Sequence, residues 1–358
     1  MFEKEEHPPK QPWILESLET PYSSPFRADN ASMEPYDYLA SYHFNSTFLF
    51  TYFSSHILDV VNRPLPKDFM KTKRAPVLWI ARNCHATNTR QAYIEELMKY
   101  VEVHNYGSCL NTHAFPKDTS RTDLMREYKF YLAIENSNCD NYATEKLYDT
   151  FMNSAVPIVD GPDSYSGYIP TNRSVIYMDA YPDPRDLANY LTYLDHNDTA
   201  YLEYLSFRRD AVHMSMRERL DPVFIERWSD ERALALTSDY CSICHGVLPW
   251  WRSRQDPSFE LLPVEDKYDR FRVDTSCRAS GKWEYVLNGP PYVPKWQPRP
   301  KDEFTRPVMM EVIDKIEDDD TISMASMVYI GFIGFFLLYV LFLWKQSRIK
   351  VKAQEPFV

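Results

Sequence analysis

Basic residues do not predominate in this sequence: 40 Lys and Arg stand against 51 Asp and Glu. A net charge of -11 with no basic stripe excludes the clustered cations on which nucleic-acid binding depends. Glycine is scarce, with 8 residues against 26 tyrosines, while aromatics make up 15% of the chain. That bias suits carbohydrate stacking and suits an ordinary core equally well, and the core is the favoured reading. Metal motifs are lacking too. Cys241-Ser-Ile-Cys244 has no second CxxC and no HxxxH to complete four zinc ligands, and His245 alone does not supply them. The only Asp-x-Asp lies in the run Asp318-Asp319-Asp320, far from any expected strand end. Met1 to Lys10 are too polar for a signal peptide or a membrane anchor.

What is present bounds the rest. A chain of 358 residues, 44% hydrophobic, is long enough for two domains with cores of their own. From Met324 to Trp344 it is uncharged and almost wholly apolar, long enough as a helix to span the roughly 30 Å of bilayer hydrocarbon. The acidic run 317–320 precedes this segment, and Lys345, Arg348, Lys350 and Lys352 follow it. The positive-inside rule then puts the tail in the cytosol and the body in the lumen. That topology requires an earlier anchor or signal, so a native N-terminus upstream of Met1 is expected. A tail-anchored protein with a cytosolic body is the alternative that the flanking charges disfavour. Six cysteines, Cys84, Cys109, Cys139, Cys241, Cys244 and Cys277, are an even set, as disulfides in an oxidising lumen would require. Sequons at Asn30, Asn45, Asn172 and Asn197 lean the same way.

The middle of the chain alternates strand-like and helix-like stretches, the pattern of an α/β domain. A strand over 76–81, a helix over 89–100 with Tyr93, Ile94, Leu97 and Met98 at helical spacing, and a strand over 101–106 form a first β-α-β unit ending at Gly107. A second has a strand over 128–134, a helix over 144–155 and a strand over 156–160. Helical periodicity returns at Leu187, Leu191 and Leu194 and through 201–208. Prolines recur from Pro249 to Pro307, which reads as a stalk with little core of its own. Strands are expected within 12–21 and 45–52, but residues 1–70 are too few for a full nucleotide-fold domain. The expected organisation is 1–70, the remnant of an N-terminal domain; 71–248, a Rossmann-like domain; 249–323, a lumenal stalk; 324–344, a transmembrane helix; and 345–358, a basic cytosolic tail.

Ligands of open α/β sheets bind beyond the carboxyl ends of the strands. Arg90 falls there after the first strand, and Glu135, Asn136, Tyr142, Glu145 and Lys146 fall there after the strand ending at Ile134. Two cations at one crevice could neutralise a departing diphosphate without a metal, and a carboxylate beside them could hold ribose hydroxyls. On spacing alone Glu145 and Lys146 are better read as solvated first-turn residues behind an N-cap at Thr144.

The residues themselves add a resemblance. Tyr128-Lys-Phe-Tyr-Leu-Ala-Ile-Glu-Asn-Ser-Asn-Cys-Asp-Asn-Tyr142-Ala-Thr-Glu-Lys146-Leu, continuing through Ala155-Val-Pro-Ile-Val-Asp-Gly-Pro162, resembles the donor-binding signature of the α1,3/α1,4-fucosyltransferases, glycosyltransferase family 10. Similarity runs on through Ile169-Pro and Leu187-Ala-Asn-Tyr-Leu to the Cys241–Cys244 pair. It also reaches back to Ser17-Leu-Glu19-Thr-Pro21, so about residues 12 to 246 are covered. The resemblance implies a GT-B fold of two Rossmann-like domains, the N-terminal one truncated here. It implies GDP-fucose as donor, with Arg90 and Lys146 on the diphosphate, Glu145 on the ribose, and Asn136 and Tyr142 as further donor contacts. Glu19 matches the general base of an inverting transfer, and no cofactor or divalent metal is required.

The implied product is an α1,3 linkage to N-acetylglucosamine of a glycan or glycoprotein acceptor, made at a Golgi or endoplasmic-reticulum membrane with the catalytic part lumenal. Departures bear on the acceptor. The family's Tyr-Arg-Arg-Asp reads Tyr52-Phe-Ser-Ser-His56, while Cys84, Tyr106-Gly-Ser-Cys109 and the Asn136-x-x-Cys139 spacing are closer to the divergent branch implicated in protein O-fucosylation. A Ser or Thr of a folded protein domain is therefore the alternative acceptor. A catalytically silent, membrane-tethered GDP-fucose-binding protein is a third reading. In this family the terminal CxxC pairs with itself or with upstream cysteines.

Overall fold

A computed structural model describes residues 12–23, 30–229, 240–258 and 271–301. The expected membrane helix and cytosolic tail lie outside the described residues. Within those residues, no helix is long and apolar enough to cross a membrane.

Two parallel sheets make an α/β fold. The smaller joins β1 (Ile14–Ser17), β2 (Tyr38–Ser41) and β3 (Phe48–Leu49) in the order β1-β2-β3. Of the strand expected over 45–52, only these two residues of β3 pair in a sheet. The larger sheet has the order β5-β4-β6-β7-β8, from β4 (Arg74–Trp79), β5 (Val103–Asn105), β6 (Tyr128–Ile134), β7 (Val156–Asp160) and β8 (Ile176–Tyr177). β6 and β7 span the residues expected, whereas β4 begins and ends two residues early. After β4 the chain turns to one side and makes β5, then returns to the other side with β6. The switch in direction opens a crevice beyond the carboxyl ends of β4 and β6.

Burial explains why these stretches pair as they do. All seven residues of β6 and all five of β7 are buried, as expected of parallel strands covered on both faces. The helix Glu145–Met152 sets Leu147 and Phe151 into the core, and Thr144 caps it by accepting from the Lys146 N–H. The helix Pro184–His196 starts at an Asp183 cap with Pro184 in its first turn, and buries Leu187, Leu191 and Leu194. Gly107 is required where the chain leaves β5: a Cβ there would sit 1.9 Å from the Ala81 carbonyl oxygen.

The proline-rich stretch departs from the stalk expected of it. Trp283, Tyr285 and Val286 join the main hydrophobic core, and Phe271 packs with Leu15, Met33 and Leu39 beside the small sheet. Within 240–253, a helix over Tyr240–Ser253 covers the other face of that sheet through Ile243 and Val247. Irregular backbone gives no periodic signal, so burial of single large side chains there is invisible in a pattern. Among the described residues Cys84 pairs with Cys109 and Cys139 with Cys277, while Cys244 of the CxxC pair is exposed and free.

Candidate functional site

The crevice between β4 and β6 gathers the predicted residues from four separate stretches. Arg90 opens the helix Arg90–Leu97 that follows β4, and its guanidinium is turned into the protein at 3% exposure. It donates to the Ile134 carbonyl through Nη1, while Nε is buried with no hydrogen-bond partner. Desolvation lowers its pKa, and the carboxylate of Glu135 is the largest influence opposing that fall. Such an arginine retains an unspent N–H for an anion.

Lys146, at the start of the helix after β6, donates through Nζ to Glu135 Oε2 at 3.0 Å and to Thr144 Oγ1 at 2.8 Å. Burial alone would depress its pKa, yet Glu135 and Glu145 outweigh burial and leave it raised, so the cation is held. Glu135 itself is 1% exposed and takes hydrogen bonds from the Thr144 N–H at 2.9 Å and the Thr144 hydroxyl at 2.8 Å. Burial pushes this carboxyl up, Lys146 only partly offsetting it. Glu145 behaves in the opposite sense. Burial would raise it, but Lys146, Thr144 and Arg121 together bring it below its ordinary value.

The general-base candidate arrives from the small sheet. Glu19 follows β1, is exposed, and accepts from the Tyr142 hydroxyl at 3.0 Å across 123 residues of sequence. Tyr142 is 2% exposed and edge-on to Tyr42 at 4.9 Å, and burial raises its pKa so that it remains a donor. The neighbouring Thr20 hydroxyl lies 3.0 Å from the Ser137 hydroxyl, tying the Glu19 segment to the loop after β6. Asn136 stands half-buried in that loop, accepting from the Asn88 N–H at 3.3 Å and, on its side chain, from the Ser137 hydroxyl at 3.2 Å. The structure thus brings Glu19 to Tyr142, Lys146 to Glu135 and Glu145, and Arg90 and Asn136 to the shared neighbour Asn88.

Sequence reasoning left out several residues that shape it. Glu135 was legible from its place at the strand end but received no role. Asp160, the last residue of β7, accepts from Asn138 Nδ2 at 3.1 Å, Trp283 Nε1 at 2.8 Å and Asn88 Nδ2 at 3.4 Å, and pairs with Lys282. No short-range signal connects Asp160 to Lys282, because 122 residues separate them. A cavity of about 530 Å³ is lined by residues of that late segment, among them Arg278, Lys282, Glu284, Tyr285 and Trp296.

Gly161 closes the crevice behind Glu135. A Cβ there would lie 3.0 Å from Glu135 Cγ and 2.9 Å from the Tyr165 hydroxyl. Gly161→Ala is expected to cost about 1–3 kcal/mol of folding stability through overpacking, read from chemical denaturation. A variant as stable as the parent would mean that Glu135 and Tyr165 have room to yield.

Residues 70–253 match the family model described as glycosyltransferase family 10 (fucosyltransferase), C-terminal part. Among curated proteins, GDP-fucose protein O-fucosyltransferase 3 of Xenopus tropicalis is 32% identical over 193 residues, 51% of this chain and 41% of that protein. The protein of the same name from Canis lupus familiaris is 36% identical over 151 residues, 40% of this chain and 32% of that protein. The chain thus spans less than half the length of these relatives. A crystal structure of an α1,3-fucosyltransferase with GDP-fucose aligns at a TM-score of 0.43 and 19% identity, over 62% of this chain and 76% of that one. With the match to its model extending over half the sequence, the chain belongs to glycosyltransferase family 10, the fucosyltransferases.

Proposed function

We propose that the chain transfers L-fucose from GDP-fucose, with inversion, to an acceptor hydroxyl, using a GT-B arrangement whose cleft is the crevice beyond β4 and β6. The observation that carries this reading is the meeting of Glu19 with Tyr142 at 3.0 Å, with the buried Arg90 and the half-buried Lys146 both near Glu135. Glu19 takes the acceptor proton while the acceptor oxygen attacks the fucose C1. The C1–O bond breaks, and the charge released on GDP is met by Arg90 and Lys146, so the reading requires no divalent metal. In this reading Glu145 takes the ribose hydroxyls, and Asn136 and Tyr142 are further donor contacts. The apolar segment 324–344 is read as a single-pass anchor that holds the catalytic part in the lumen of the Golgi or endoplasmic reticulum.

The names of the curated relatives favour a Ser or Thr hydroxyl of a protein as acceptor over N-acetylglucosamine of a glycan. Transfer of labelled fucose to matched protein and glycan acceptors separates the two. If donor is bound and neither class is fucosylated, the reading of a silent GDP-fucose-binding protein gains.

Donor binding is tested by calorimetry on the full chain. Lys146→Ala removes a charge-assisted contact to the diphosphate and is expected to weaken GDP-fucose binding by about 1.5–3 kcal/mol. A parent chain that does not bind GDP-fucose would refute the proposed donor; equal binding by parent and variant would remove Lys146 from the site.

A further inference from the structure

The family match ends at residue 253, yet the segment 276–283 lies across both loops that carry the proposed donor ligands. Its main chain is joined to the loop after β4 by Gly281 N–H to Thr87 O at 2.8 Å and Trp283 N–H to Asn88 O at 3.0 Å. It is joined to the loop after β6 by Arg278 N–H to Asn138 O and by Asp140 N–H to Ser276 O, each 2.7 Å, and by the Cys139–Cys277 disulfide. The side chains converge on Asp160, which is 2% exposed and collects Lys282, Trp283, Asn88 and Asn138.

Asn88 is the relay. Its Oδ1 accepts from the Arg90 N–H at 3.3 Å, and its Nδ2 donates to the Glu135 carbonyl and to Asn138 Oδ1, both at 3.0 Å. Trp283, fully buried, meets Tyr93 of the Arg90 helix edge-on at 4.6 Å. Lys282 is 8% exposed and faces Asp179 at 3.6 Å besides Asp160, so its charge is balanced by carboxylates inside the protein. A buried ion pair seldom adds much stability over an apolar pair of the same size, but it does fix one geometry where its hydrogen bonds are complete.

We propose that residues 276–283 form a clasp that completes the donor site, with Asp160, Lys282 and Trp283 as positioning residues that hold the Arg90 and Asn136 loops at the separation a nucleoside diphosphate requires. The inference rests on the donor reading above. It assigns a role in nucleotide binding to a part of the chain outside the matched family region, and to an aspartate that binds Asn88, Asn138, Lys282 and Trp283.

The probes are GDP and GMP, titrated by calorimetry into the full chain. In the parent, GDP is expected to bind more tightly than GMP, because its second phosphate adds charge for Arg90 and Lys146 to meet. Lys282→Met is expected to raise the Kd for GDP about tenfold and to change the Kd for GMP by less than about threefold; Lys282→Arg restores most of the GDP affinity. Trp283→Phe keeps an aromatic ring against Tyr93 but removes the indole N–H that donates to Asp160 together with part of the ring's volume, so it serves if Lys282→Met does not fold, with an expected loss of about threefold or more for GDP. Leu194→Ala, a core substitution on the helix Pro184–His196, controls for lowered stability and is expected to leave the ratio of GDP to GMP affinity unchanged. A folded Lys282→Met or Trp283→Phe with the parental ratio overturns the clasp while the donor reading stands. A parent chain that binds neither nucleotide overturns both.

Discussion

Glu19→Gln is expected to slow fucose transfer by about 10²–10⁴-fold while leaving GDP-fucose affinity within about threefold of the parent. Glutamine keeps the size of the side chain and an oxygen that can accept from the Tyr142 hydroxyl, which stands 3.0 Å from Glu19 Oε2. What it loses is the ability to take a proton as the acceptor oxygen attacks C1. Because Glu19 is exposed and glutamine keeps an acceptor for the Tyr142 hydroxyl, the fold should not suffer. Initial rates at saturating donor, set beside donor titrations, separate the two effects. A variant with parental turnover would remove Glu19 from the chemistry; a parallel loss of donor affinity would make it a binding group instead.

The second large effect concerns the clasp's covalent tether. Cys277→Ser opens a loop with a sequence separation of 138 residues, and the chain-entropy estimate for so long a loop puts the loss at about 3–5 kcal/mol of folding stability. The measurement is chemical denaturation of parent and variant under non-reducing conditions. Cys277 and Cys139 pair as an isolated antiparallel bridge, with Tyr22, Tyr42 and Tyr142 around them. The loss should therefore reach the Glu19–Tyr142 contact as well as global stability, and donor binding should weaken even where the protein remains folded. A loss below about 1 kcal/mol would mean that Trp283 and the main-chain bonds of 276–283 hold the segment without the disulfide.

Legibility in the sequence followed the range of the interactions. β6 and β7 were readable to the residue because continuous burial on both faces demands a mainly apolar run, broken in β6 only by Lys129, whose ammonium pairs with Asp195 and Asp198. Thr144 was readable as a cap because capping is settled within three residues, and the structure adds that the same hydroxyl also serves Glu135. The late segment was misread for the complementary reason. Trp283 and Lys282 sit among prolines and charges with no period, and what holds them is packing on Tyr93 and Trp296 and bonds to Asp160, 122 residues before Lys282. The disulfide partners could not be chosen from six cysteines by count: 15 pairings of six are possible, and Cys244 stays free.

By itself, then, the sequence determined the α/β class, the parallel strand–helix units, the signature of family 10, and the residue types that a diphosphate sugar would need at the strand ends. These rest on local periodicity and on contiguous motifs, both of which survive in one dimension. Only the tertiary structure decided that Glu19 meets Tyr142, that Glu135 rather than solvent holds Lys146, that Cys139 is joined to Cys277, and that Lys282 and Trp283 of the supposed stalk meet Asp160. Each of these depends on burial that brings distant stretches together, where removal of water makes a charge seek the nearest partner in space whatever its distance along the chain.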